Sequence, residues 1–216
     1  MDRRQLRAAR REDLSGAGPT LEERPPARFP GIAGGFAFFG EVLTTGLLVA
    51  AAGIAVVTLP AALAAGIRHM RRYVAAEGSP ARQFWLDFRK AMPGGLVVGS
   101  IGVVLALVLA LDIDLARSGV LPGGALVGVV GWAGLVALST SVLFAAGAWT
   151  PDGGWRTAVR GIPSAAARDI PGTVYLAVTA FFVGLSTWML VPLIIPALGC
   201  AALAVIAIPE RRRRAR

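Results

Sequence analysis

Long uncharged apolar runs, separated by shorter polar segments, account for most of the chain. The first extends from Val42 to Ile67 and holds 26 residues without a charge. A helix needs about 20 apolar residues to cross the hydrocarbon core of a bilayer, so a run of this length can enter a membrane. The pattern predicts an all-α fold, a polytopic membrane helix bundle with about five membrane-embedded helices. The predicted spans lie near residues 36–58, 93–111, 124–149, 173–191 and 194–208.

A proline interrupts the first membrane segment, because Pro60 lies two-thirds of the way along residues 36–72. Proline lacks a backbone donor and clashes with the preceding turn, so the helix is expected to break near residues 57–60. Pro60 can also occupy the first turn of a second helix, one that ends in arginines. The first membrane segment is therefore predicted to be Pro-broken, and Thr58 and Pro60 at the break are candidate functional residues.

Glu41 is the one ionisable residue among the polar residues near membrane depth. A charge inside a span costs at least about 2.5 kcal/mol and often marks a functional site. The functional interpretation of Glu41 is a partner for an arginine such as Arg68 or Arg89. The alternative is a position at headgroup level, because Glu41 lies close to the start of the segment.

A basic amphipathic surface helix is predicted over residues 80–92. Successive helical residues are about 100° apart, which places Phe84, Trp85 and Phe88 on one arc and the basic residues off it. These three aromatic residues are predicted to anchor the helix at the membrane surface or on a partner. The equal alternative is that they pack against the membrane helices of the protein itself.

The basic residues are distributed unevenly over the segments between the apolar runs. Seven precede the first run, six follow it and five end the chain, whereas the connection after the second span holds only Arg117. Positive residues concentrate on the cytoplasmic side of membrane proteins. If segment 36–74 enters the membrane and returns, 21 of the 22 basic residues lie on that side. This re-entrant arrangement is the preferred prediction, and the alternative is five full spans with the N-terminal tail outside.

The residue types needed for common catalytic sites are scarce. His69 is the only histidine, Cys200 the only cysteine and Lys90 the only lysine. Paired-histidine zinc sites, thiolate clusters and a lysine phosphate loop are therefore excluded. We predict no catalytic, cofactor-binding or metal-binding residues and no enzymatic activity. His69, flanked by arginines, is expected to be solvated at the membrane interface. The net charge of +9 comes with no recognised nucleic-acid motif, so no nucleic-acid partner is expected.

Two segments resemble the YesL family of small bacterial membrane proteins. One is VVTLPAALAAGIRHMRR, which ends at Arg72, and the other is FWLDFRKAMPGG, which extends from Phe84 to Gly95. The resemblance covers roughly residues 36–208. It implies a multi-pass protein of the bacterial plasma membrane, of a family whose biochemical function is generally unknown and whose members often accompany carbohydrate ABC transporters.

The chain is thus predicted to hold a mobile, basic, Pro-rich tail (1–35), an integral membrane domain (36–208) and an Arg-rich cytoplasmic tail (209–216). The first functional hypothesis is a non-enzymatic accessory of a carbohydrate ABC uptake system. Its partners are the lipid bilayer and either an ABC permease or a second copy of the chain. The second hypothesis is a small transporter or channel, which rests on the broken first helix and on the hydroxyls of residues 139–141 in mid-span.

Overall fold

The computed structural model describes residues 35–118 and 123–214, with side chains up to residue 209. These residues form α-helices and one short 3-10 helix, with no strand among them, which confirms the all-α prediction. The α-helices are α1 (Gly35–Ala52), α2 (Leu59–Val74), α3 (Ala81–Arg117), α4 (Gly124–Ala148), α5 (Gly154–Arg160), α6 (Ile162–Arg168), α7 (Ile170–Met189) and α8 (Ile194–Arg214). The 3-10 helix Val191–Leu193 connects α7 to α8. The predicted tail 1–35 lies outside the described residues, except for Gly35.

Five segments of the described chain are long and apolar enough to cross a membrane, judged by length and composition. They are α1, α3, α4, α7 and the stretch Val191–Pro209, which includes most of α8. Many of their large apolar side chains face outward, as lipid-facing side chains do. The chain is therefore an integral membrane protein with several apolar helices, as the hydropathy pattern predicts.

α1 and α2 pack against each other as an antiparallel helical hairpin. Phe38 and Tyr73 lie at its open end, with their ring centroids 6.4 Å apart. Gly53 lies against Leu59 at its tip. Both ends of segment 36–74 are therefore at the same end of the bundle, which is the geometry of a re-entrant segment.

The turn at the tip of this hairpin comprises residues 53–58. The Thr58 hydroxyl is buried and donates to the Ala52 carbonyl over 2.7 Å, which satisfies a carbonyl that the end of α1 leaves unpaired. Pro60 lies in the first turn of α2, where its missing N–H has no partner to lose. The helix break therefore lies at residues 53–58, before Pro60 and not at the proline itself. α1 ends at Ala52, earlier than the predicted end of the first span at residue 58.

The tip of the hairpin lies against the middle of α3. The Val57 carbonyl packs so closely on Gly99 that a Cβ at this glycine would clash with it. Beyond Gly99, α3 continues to Arg117, which is about 27 Å at 1.5 Å per residue. The hairpin thus ends well short of the far end of α3.

α2 is the centre of the bundle and contacts α1, α3, α4 and α8. It is buried continuously from Pro60 to Ile67, mostly through alanine and glycine. These small residues let neighbouring backbones approach closely: the Ala61 Cβ lies 2.8 Å from where a Cβ on Gly95 would be. In a membrane, apolar side chains gain little by leaving lipid, so this close packing supplies much of the attraction between helices.

The predicted end of the surface helix at residue 92 is wrong, because α3 is one continuous helix from Ala81 to Arg117. Pro93 was expected to open a new helix, yet it lies inside α3. The proline removes one backbone hydrogen bond, a loss that membrane helices tolerate where neighbouring segments pack on the site. Here the ring of Trp155 from α5 packs on Gly94, next to the proline.

The predicted C-terminal tail 209–216 is also partly helical, because α8 extends to Arg214. Arginine has a high helix propensity, so the basic residues after Pro209 can continue the helix once it has begun.

Candidate functional site

Charged side chains meet around the open end of the hairpin, in a group that we name the charged end. The last two turns of α2 supply four of these residues, and α1 and α3 supply one each. The members are Glu41, Arg68, His69, Arg71, Arg72 and Asp87.

Asp87 of α3 is the buried centre of the cluster, with only 2% of its surface exposed. Its Oδ2 atom accepts a hydrogen bond from Arg68 Nε at 3.3 Å and another from Arg72 Nη1 at 3.0 Å. The spacing of the two arginines, four residues apart, places both on the face of α2 that meets α3. Two guanidinium groups thus compensate one desolvated carboxylate and join α2 to α3.

The second pair of the cluster joins α1 to α2. Glu41 Oε1 lies 2.7 Å from His69 Nε2, so the partner of Glu41 is His69 and not the expected Arg68 or Arg89. His69 is only 1% exposed, and the prediction that it is solvated was wrong. Its position on α2 faces α1 and the ring of Phe84, which packs edge-on at 6.4 Å between centroids.

The two remaining contacts of the charged end connect α2 to α4. Arg71 donates from Nη2 to the Gly147 carbonyl over 2.7 Å. The guanidinium of Arg68 lies 5.8 Å from the ring centroid of Trp149, a cation–π contact. The pKa of Arg71 is lowered below its usual range, mainly because partial burial removes water from its guanidinium group and secondly because Arg68 repels it.

Trp155 completes this end of the bundle. Its indole N–H donates to the Ala91 carbonyl over 2.8 Å, and its ring lies 6.2 Å from that of Trp149. Because Ala91 belongs to α3 and Trp149 follows α4, these contacts hold α5 across both helices. Neither the two tryptophans nor Asp87 was predicted from the sequence. One signal for Asp87 was available: it is the single acid of the basic segment 80–92, and the preceding helix carries Arg68 and Arg72 four residues apart.

The sequence-predicted residues do not converge on one site. Thr58 and Pro60 lie at the tip of the hairpin and Glu41 near its open end, separated along α2 by about 14 Å. Of the three aromatic candidates, Phe84 and Phe88 are buried, so they pack within the protein, as the alternative interpretation had it. Trp85 keeps 42% of its surface exposed.

Five hydroxyls of α4 and α7 form hydrogen bonds within their own helices. Each donates to the backbone carbonyl four residues earlier, at 2.6 to 2.8 Å. They are Ser139, Thr140, Ser141, Thr179 and Thr187. A cavity of about 280 Å³ lies beside the hairpin tip, and its lining is mainly apolar, from α3, α4, α7 and α8. This part of the bundle therefore presents little polar surface to a solute.

Within residues 35–118 and 123–209, no three His, Cys, Asp or Glu side chains come together in a way that could hold a metal ion. What the charged end does chemically is neutralise buried charge and join helices. Its residues bond one another and the backbone.

No protein-family model, curated protein or solved structure matches the chain.

Proposed function

We propose that the protein is a non-enzymatic accessory of a carbohydrate ABC uptake system in a bacterial plasma membrane, of YesL-like type. The observation that supports this most directly is that five hydroxyls of α4 and α7 are bonded to their own helices, those of Ser139, Thr140, Ser141, Thr179 and Thr187. A protein that moves a polar solute has to offer hydrogen-bonding groups along the path, because unsatisfied polar groups are costly in a membrane. Groups already bonded within a helix are less available for that purpose.

A second observation, an exposed apolar surface beside the charged end, supports a partner-binding role. The hydrogen bonds and ion pairs of the charged end join α1, α2 and α3 into one platform. On this platform α3 presents Trp85 and Leu86, which are 42% and 37% exposed, beside the exposed Arg89 and Lys90. Exposed aromatic and aliphatic side chains next to arginine are typical of protein-binding surfaces.

The test of this proposal is co-purification from the native membrane. We expect a carbohydrate ABC permease to co-purify with the tagged protein, and the double variant Trp85→Ser/Leu86→Ser to lose it. The control is Trp188→Ser/Met189→Ser, which removes a more exposed apolar pair, 89% and 70% exposed, at the end of α7. Equal retention of the permease by both double variants, or no permease with the wild type, would contradict the proposal.

A small transporter or channel is the second candidate, favoured by the cavity beside the hairpin tip. If the protein conducts a solute alone, purified protein in liposomes gives a flux that Thr58→Val or Glu41→Gln reduces. We expect these liposomes to remain tight to small sugars and ions. Flux from the isolated protein that responds to either variant would replace the accessory proposal.

A further inference from the structure

A cavity of about 550 Å³ opens beside the charged end, between α4, α7 and α8. Its inner wall is apolar and includes Phe144, Leu176 and Val205. α7 begins its apolar run at Ile170, and the apolar stretch of α8 ends at Pro209, which lines the cavity. The cavity therefore lies at the boundary between the apolar part of the bundle and its basic end.

Two arginines from different helices line the same cavity. They are Arg71 at the end of α2 and Arg168 at the end of α6, and both are exposed. Within residues 35–118 and 123–209, neither guanidinium forms an ion pair with a carboxylate. Arg71 bonds only a neutral acceptor, the Gly147 carbonyl. Asp169, in the same wall, caps α7 by accepting from the Gly172 N–H.

Charge and shape together identify the ligand that fits. The rim carries two arginines against the single carboxylate of Asp169, and neither arginine forms an ion pair with a described carboxylate. The interior offers apolar surface at membrane depth. A free phosphate or sugar phosphate complements only the rim, and a neutral lipid complements only the interior. Basic pockets between membrane helices on the cytoplasmic side are known to bind acidic lipid headgroups.

We propose that this cavity binds one anionic phospholipid from the adjacent leaflet. The phosphate accepts hydrogen bonds from Arg71 and Arg168, since the planar guanidinium presents paired donors that match phosphate oxygens. Part of an acyl chain occupies the apolar interior beside Leu176. The proposal does not depend on the accessory role.

The test measures binding of defined lipids to delipidated protein in neutral detergent by native mass spectrometry. The probes are phosphatidylglycerol, phosphatidylcholine and glycerol phosphate. We expect phosphatidylglycerol to bind with the highest affinity, and Arg71→Gln/Arg168→Gln to weaken it by about thirtyfold, since each arginine near an acidic headgroup contributes about 1 kcal/mol. The charge-matched control is Arg156→Gln/Arg160→Gln, two exposed arginines of α5 outside the cavity, and we expect less than about a twofold loss there.

The apolar half of the site has its own pair of variants. Ala165 of α6 lines the cavity, and Ala167 on the same helix does not. Ala165→Trp should fill the cavity and weaken phosphatidylglycerol binding without changing any charge, whereas Ala167→Trp should leave it unchanged. Arg71→Lys keeps the charge and should retain most of the selectivity, which provides a folded variant if Arg71→Gln proves unstable.

Three results would overturn the proposal. Equal losses in the two arginine double variants would show diffuse attraction to a basic surface. Full binding by Ala165→Trp would place the lipid elsewhere. Competition by glycerol phosphate at the affinity of phosphatidylglycerol would identify a soluble phosphate ester as the ligand.

Discussion

Single residues at the charged end determine how the central helix is held. Asp87 is the buried carboxylate between Arg68 and Arg72, and it is the acid through which α3 binds the basic end of α2. A buried pair is costly to break, because removal of one partner leaves the other charge desolvated and uncompensated. Asp87 is therefore expected to stabilise the fold by neutralising the guanidinium groups of Arg68 and Arg72.

Asp87→Asn is expected to destabilise the protein by about 3 kcal/mol, since it leaves both arginines facing a neutral amide. Thermal unfolding of the purified protein in detergent measures this as a clear decrease in Tm. Glu77→Gln is the matched control, because Glu77 is an exposed acid in the loop between α2 and α3. Similar Tm values for Asp87→Asn and the wild type would show that the buried cluster contributes little to stability.

At the scale of elements, the hairpin depends on how closely its tip approaches α3. Gly99 is in contact with the backbone of Val57, and backbone cannot move aside as a flexible side chain can. Gly102, one turn later on the same helix, has nothing within 4 Å of the position that a Cβ would take. The two glycines lie on the same helix, and only Gly99 makes this backbone contact.

Gly99→Ala is therefore expected to destabilise the protein by about 1–3 kcal/mol through overpacking. Gly102→Ala should be neutral or slightly stabilising, since alanine has the higher helix propensity. Thermal unfolding of the two variants in the same detergent makes the comparison. A tip that does not dock on α3 in the membrane would give the two variants the same Tm.

For the whole molecule, the antiparallel packing of α1 and α2 determines the topology. The described basic residues lie at the charged end or in the helices beside it, and Arg117 lies at the far end of α3. Placing the charged end in the cytoplasm satisfies the positive-inside rule with both ends of segment 36–74 on that side. The sequence-based prediction for residues 1–34 follows the same rule, although those residues lie outside the described part of the chain.

Cysteine labelling in intact cells tests this topology after Cys200 is replaced. A membrane-impermeant thiol reagent should leave cysteines at Ser15, Gly78 and Ala215 unlabelled and should react at Ser118. Positions 15 and 78 flank the hairpin, so they must behave alike if its ends share one side. Labelling at position 15 with protection at position 78 would restore five full spans.

The sequence by itself determined the class of protein and the approximate helices. Three local properties of the sequence carried this information: uncharged runs of membrane length, the position of Pro60 and the uneven distribution of arginine. Each has a direct physical effect, through the cost of burying charge or through backbone geometry, that does not depend on tertiary contacts. The apolar helices and a proline-associated break in the first segment were therefore predictable, whereas its re-entrant topology stays a prediction.

Only the tertiary structure decided which charges meet and which helices continue. Glu41 and His69 are 28 residues apart, and Asp87 is 19 residues from Arg68, so their pairing depends on which helix faces come together. His69 lies beyond the apolar part of α2, between arginines, and its burial depends on α1 and on Phe84 of α3, which the sequence of α2 does not specify. Pro93 could begin a helix or lie within one, and the packing of Trp155 beside it is a contact that local sequence does not specify.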